Sequence, residues 1–197
     1  MMNNEDYISI VLGQPGVGKS SFINLITKSL NCKTSDRPEL CTQKYNITRT
    51  IYNKSEYYFI DTPGISDIRY EKEYLKEIKK AITEYPKIRC LIILFNYQNK
   101  RITQSDTEFL KILMEYFPTE KFWDHVIIVR THAFIFEDED EERDRLNFNS
   151  IKDIINAPKE IEEYYVDCCK KGYYNSANIE KELEKIFNRI RITPPIN

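Results

Sequence analysis

The run Gly13-Gln14-Pro15-Gly16-Val17-Gly18-Lys19-Ser20 sets three glycines, a lysine and a hydroxyl at the spacing of a loop that cradles phosphate. The glycines let the backbone turn sharply and direct its N–H groups around an anion. Lys19 supplies a point charge for the outer phosphates, and Ser20 a hydroxyl suited to Mg²⁺. Further along, Asp61-Thr62-Pro63-Gly64 ends an apolar segment. A carboxylate there can hold the same metal through water, and Gly64 lets a backbone N–H approach a γ-phosphate. Either stretch alone is also an ordinary turn. Together, in this order, they predict a nucleoside-phosphate site.

The surrounding pattern must place those residues. Tyr7 to Leu12 reads as a strand, and Ser21 to Leu30 as a helix with Phe22, Ile23, Ile26 and Leu30 on one face. Asn31 to Thr42 lacks periodicity and reads as an exposed loop. Tyr45, Ile47 and Ile51 alternate as a half-buried strand, Asn53-Lys54-Ser55 turns the chain, and Tyr57 to Ile60 returns as a hairpin partner. Glu71 to Tyr85 predicts a helix. Cys90 to Phe95 is a buried parallel strand. Thr103 and Asp106 form a capping box before a helix carrying Phe109, Leu110, Leu113, Met114 and Phe117. Val126 to Val129 is a further strand. The charge run Phe136 to Arg145 reads as a solvated loop. Helical pattern resumes near Ser150. Ile161, Tyr164, Tyr165 and Cys168 fall at helical spacing, Tyr173 and Tyr174 make a short strand, and a last helix runs from Ile179 to about Arg191. Strands alternating with helices predict a doubly wound, mostly parallel α/β sheet of the P-loop type, with ligand at its carboxyl edge.

Composition narrows the class. The 197 residues suit one domain, and 41% hydrophobic with 30% charged residues suits a soluble globular one. A net charge of -2 gives no basic excess for nucleic acid. No membrane-length apolar run or leader plan is present, which predicts a cytoplasmic protein. The five cysteines are scattered without chelating spacing, and read as reduced thiols.

The sequences DTPGISD, NKRITQSDTEFLKILMEYF and NSAN give the chain a resemblance to the avirulence-induced (AIG) type G domains, the GIMAP immunity-associated GTPases, with relatives among the septin and chloroplast-import Toc GTPases. The likeness runs from Tyr7 to about Arg191. Arg101 to Phe117 resembles the hydrophobic box of that family.

The resemblance implies a GTP- and GDP-binding domain with Mg²⁺. It assigns Gly16, Gly18, Lys19, Ser20 and Ser21 to the phosphates, Ser20 and Asp61 to the metal, and Asp61 and Gly64 to the second switch. Thr42 takes the first-switch position, also a metal ligand, with Thr34, Ser35 and Thr48 as alternatives. Thr131-His132-Ala133-Phe134 stands in place of the usual base-reading motif. There His132 would cover the base, unless it is a half-exposed loop histidine. Asn175 and Ser176 would supply the second base contact.

Phe134 occupies the place of the aspartate that reads guanine, so a carboxylate or carbonyl elsewhere must do so. Ile65 replaces the water-orienting glutamine, which implies slow hydrolysis. The resemblance also implies nucleotide-dependent homodimers, with membrane association through neither a span nor a basic run of this chain. Arg101, at the carboxyl edge, is the candidate to reach a partner's site; an exposed arginine before a helix is the alternative. Rival functions are a nucleotide-gated scaffold without turnover and a P-loop kinase of a small metabolite.

Overall fold

The computed structural model describes residues 6–29, 45–62, 71–99, 101–116, 123–133, 149, 151–154, 161–168 and 176–196. In chain order the elements are β1 (Tyr7–Gly13), α1 (Lys19–Thr27), β2 (Asn46–Tyr52), β3 (Ser55–Asp61), α2 (Glu71–Glu84), β4 (Ile88–Asn96), α3 (Gln104–Tyr116), β5 (Val126–Thr131), β6 (Glu163–Val166) and α4 (Ser176–Ile192). The strands form one six-stranded sheet in the order β2-β3-β1-β4-β5-β6. Every pairing is parallel except the β2–β3 hairpin. The predicted doubly wound α/β architecture is therefore present.

Strand alternation splits the core in two. Ile8, Ile10 and Leu12 of β1 face one side with Leu91, Ile93 and Phe95 of β4, against Ile78 of α2 and Phe109, Leu110 and Leu113 of α3. Val11, Cys90, Ile92 and Leu94 face the other, against Phe22, Ile23 and Ile26 of α1 and Leu183, Ile186, Phe187 and Ile190 of α4. Central strands covered on both faces read as continuous apolar runs, as CLIILF does. Because β1, β3, β4, β5 and β6 run parallel, Gly13, Asp61, Asn96, Thr131 and Val166 all end at one edge of the sheet.

Two expectations are corrected. The stretch with helical spacing around Tyr164 is β6, a strand on the open edge of β5. Tyr164 and Val166 are buried while Glu163 and Tyr165 are half-buried, a two-residue alternation that the spacing also permits. Arg130 and Glu163 fix its register with an ion pair of 2.9 Å, both side chains nearly buried. In β2, Ile51 is 63% exposed although Ile47 packs on the core. Just after α2, Tyr85 stands edge-on to Tyr45, at the opposite end of β2 from Ile51. Asn53 and Lys54 turn the hairpin, both with positive φ, as a two-residue type I′ loop demands. Residues 173 and 174, the expected short strand, lie outside the described residues.

Candidate nucleotide site

The β1–α1 turn is shaped by close packing. A Cβ on Gly13 would stand 2.9 Å from the Leu94 carbonyl of the neighbouring strand. Gly18 caps α1 at φ 91°, a left-handed conformation that disfavours side chains. A capping residue without a side-chain acceptor leaves the first N–H groups of the helix facing the turn, where the helix dipole is positive. Gly13, Gln14, Pro15, Gly16, Val17, Gly18, Lys19, Ser20 and Ser21 thus share one turn and its helix start.

Lys19 is buried, and its Nζ donates to the carbonyls of Gly13 and Gln14 at 2.9 Å each. Burial pulls its ammonium down to about 8, opposed by the Asp61 carboxylate. It remains cationic at neutral pH, placed across the mouth of the turn. Ser20 Oγ donates to Asp61 Oδ2 at 2.7 Å, joining α1 to the end of β3. A hydroxyl and a buried carboxylate are hard oxygen donors, so the pair fits Mg²⁺ completed by phosphate and water oxygens. Thr62 Oγ1 donates to the Val11 carbonyl at 2.6 Å, holding the Asp61 turn against β1.

The other end of this edge is built by β5 and β6. Thr131 Oγ1 donates to the Val17 carbonyl at 2.6 Å, which clamps the end of β5 to the phosphate turn. His132 follows at φ 59°. Its ring lies against the turn, with Cε1 3.4 Å from where a Gly18 Cβ would be. Burial lowers the His132 pKa, while the charge of Asp167 pulls it back up. Thr131 pairs with Val166, so His132 and Asp167 leave adjacent strand ends side by side. Asp167 is only 3% exposed.

Asp167 is the residue that sequence reasoning missed. A helix through Ile161 to Cys168 would have carried its carboxylate around a cylinder; a strand beside β5 delivers it to the carboxyl edge next to His132. The sequence signal was EYYV, a short run of aromatic and β-branched residues ending at an acid. Of the alternatives for the first switch, Thr48 is excluded by position. It is buried opposite Phe59, two residues (about 7 Å) along the strand from the Asp61 end. Thr42, Thr34, Ser35, Gly64, Ile65, Phe134 and Asn175 lie outside the described residues. Ser176 opens α4. Arg101 is exposed two residues before the Thr103 cap. The side chain of Gln14 turns out of the loop and donates to the Ser105 carbonyl of α3 at 2.8 Å.

This geometry agrees with what the chain is similar to. It is 33% identical over 100 residues to GTPase Der of Chlamydia muridarum, covering 47% of this chain and 20% of that protein. It is 30% identical over 129 residues to translocase of chloroplast 125 of Physcomitrium patens, covering 63% of this chain and 11% of that protein. The chain therefore spans a fifth or less of the length of these two relatives. Among solved structures, Toc33 of Arabidopsis thaliana, in a dimerization-deficient arginine-to-alanine form, superposes with TM-score 0.79 at 20% identity, over 95% of this chain and 84% of that one. The profile described as "50S ribosome-binding GTPase" matches residues 9–131, more than half of the chain. The chain belongs to that GTPase family.

Proposed function

We propose that this chain is a slowly hydrolysing GTP switch of the AIG, GIMAP and Toc-like kind, whose bound nucleotide controls self-association. The observation that carries the guanine assignment is Asp167 beside His132, past the paired ends of β5 and β6. Guanine presents N1–H and the 2-amino group on one edge, and a carboxylate accepts from both. Adenine presents no such pair of donors for the carboxylate to accept. Asp167 thereby takes the part that Phe134 cannot, and His132 covers the ring of the base.

The phosphate end divides the remaining work. The N–H groups of the turn and of the α1 start bind the phosphate oxygens, and Lys19 carries the charge. Ser20 and Asp61 would hold Mg²⁺, which when bound would supply positive charge to the phosphates. Ile65 has no group to orient water, which supports slow turnover by the isolated domain. Toc33 is known in a dimerization-deficient arginine mutant. In another solved structure its dimerization is described as important for GTPase activity. By analogy, Arg101 is the arginine of this chain that reaches a partner's γ-phosphate, where an arginine supplied in trans is worth about 10³–10⁵ in rate.

Displacement of fluorescent GDP by GTP and ATP tests the ligand, and turnover across a protein concentration series tests the dimer. Guanine preference with turnover per molecule rising with concentration, and losing that rise in Arg101→Ala, is the expected result. Equal displacement by ATP would reduce the site to a general nucleotide pocket. The same Ile65 favours a second reading, a nucleotide-gated scaffold, which absent turnover at every concentration would establish.

A further inference from the structure

Between β4 and α3, the described residues 97–99 and 101–103 lie at the carboxyl edge of the sheet, and each piece is anchored by hydrogen bonds. At the start of this stretch the Tyr97 amide donates to the Thr131 carbonyl at 2.8 Å, beside His132. Asn96 Oδ1 accepts from the Gln98 amide at 2.9 Å and tightens the first turn. At its end Thr103 and Asp106 form a reciprocal box. The Thr103 amide and hydroxyl donate to Asp106 Oδ2 at 3.1 and 2.7 Å, and the Asp106 amide donates back to Thr103 Oγ1 at 3.1 Å. Asp106 is 5% exposed, so the box is buried. Arg101 lies within this strap.

One side chain joins the strap to the phosphate turn. Lys19 donates to the Gln14 carbonyl, and the Gln14 side-chain amide donates to the Ser105 carbonyl in the first turn of α3. A single residue therefore touches both the phosphate-directed cation and the helix that follows Arg101.

We propose that Gln14 is a positioning residue that couples nucleotide on the phosphate turn to the placement of the α3 start, and through it of the Arg101 segment. Nucleotide orders the turn, the ordered turn fixes the Gln14 backbone, and the Gln14 amide then holds Ser105. The coupling rests on the reading of residues 13–20 as the phosphate site, and the following test separates the two.

Amide hydrogen exchange is followed by NMR with and without GDP and Mg²⁺, in the wild type and in Gln14→Leu, Gln14→Glu and Gln14→Lys. Leucine keeps the bulk and removes the donor, glutamate sets a carboxylate against a carbonyl, and lysine restores a donor of similar reach. In the wild type, GDP slows exchange at Gly16, Gly18 and Lys19 and also at Asp106 and Thr107. In Gln14→Leu and Gln14→Glu, with GDP at saturation, the first group stays protected while the α3 amides lose about fivefold in protection, the worth of one hydrogen bond. In Gln14→Lys the α3 protection returns. Undiminished α3 protection in Gln14→Leu, or no recovery in Gln14→Lys, would overturn the coupling while the phosphate site stood. Absence of GDP protection at Gly16, Gly18 and Lys19 in the wild type would overturn the phosphate site and the coupling with it.

Discussion

The two ends of the carboxyl edge are assembled by different means. At the phosphate end, Gly13 to Ser20 is one continuous stretch, and its geometry follows from three glycines and a helix start. Distant residues only brace that stretch, through the Ser20–Asp61 and Gln14–Ser105 bonds and the Thr131 bond to Val17. At the base end, no stretch is continuous. His132 and Asp167 are 35 positions apart, and the β5–β6 register alone sets them side by side. A local device resists change elsewhere in the fold, whereas a device made by register depends on every contact that holds the register.

That contrast can be broken most forcefully at the phosphate end. Lys19→Ala removes a buried cation and its charge-assisted bonds, and GDP affinity should fall about 10²–10³-fold with the circular dichroism spectrum unchanged. Wild-type affinity in that variant would remove the phosphate assignment. Glu163→Ala attacks the register instead. It leaves Arg130 buried without its carboxylate, and denaturant unfolding should show a loss of about 3 kcal/mol. Guanine preference should weaken in this variant more than binding of inorganic pyrophosphate; an equal loss of both would deny that the two ends are separately built.

His132→Ala should weaken GTP and GDP alike by about tenfold, the scale of one aromatic ring stacked on a base. A loss confined to GTP would place the imidazole near the γ-phosphate. The smallest effect concerns pH. The His132 pKa is depressed by burial, so below its ordinary value of 6.5 the unfolded chain binds a proton that the folded chain resists. Stability should therefore rise with pH through that range and fall on acidification. His132→Gln should flatten the slope in thermal unfolding measured from mildly acidic to neutral pH.

The same contrast explains what could be read from the residues in order. The turn, Asp61, the apolar β4 and the Thr103–Asp106 box were legible because each is a local pattern with a local cause. The β5–β6 pairing was not. Ile161, Tyr164, Tyr165 and Cys168 fall at helical spacing while Tyr164 and Val166 alternate as a strand, and the free edge of β5 and the Arg130 partner favour the strand. Asp167 disappeared from view with that misreading. Ile51 alternates in the sequence as Ile47 does, yet Ile47 packs on the core while Ile51 is 63% exposed, a difference the local pattern does not carry. The outward turn of Gln14 toward Ser105 is a contact across 91 positions, and no local pattern signals it.

The central claim, that a carboxylate delivered by β6 reads guanine, is tested most directly by the base preference of Asp167→Asn. Asparagine keeps the shape and exchanges one acceptor for a donor. Guanine then loses a partner for its 2-amino group, while xanthine, with a carbonyl at that carbon, gains one. Competition of GDP and XDP against a fluorescent diphosphate should show GDP weakened about a hundredfold, the worth of its bonds to a charged acceptor, and XDP strengthened. An Asp167→Asn protein that binds GDP as the wild type does, with XDP unimproved, would contradict the account.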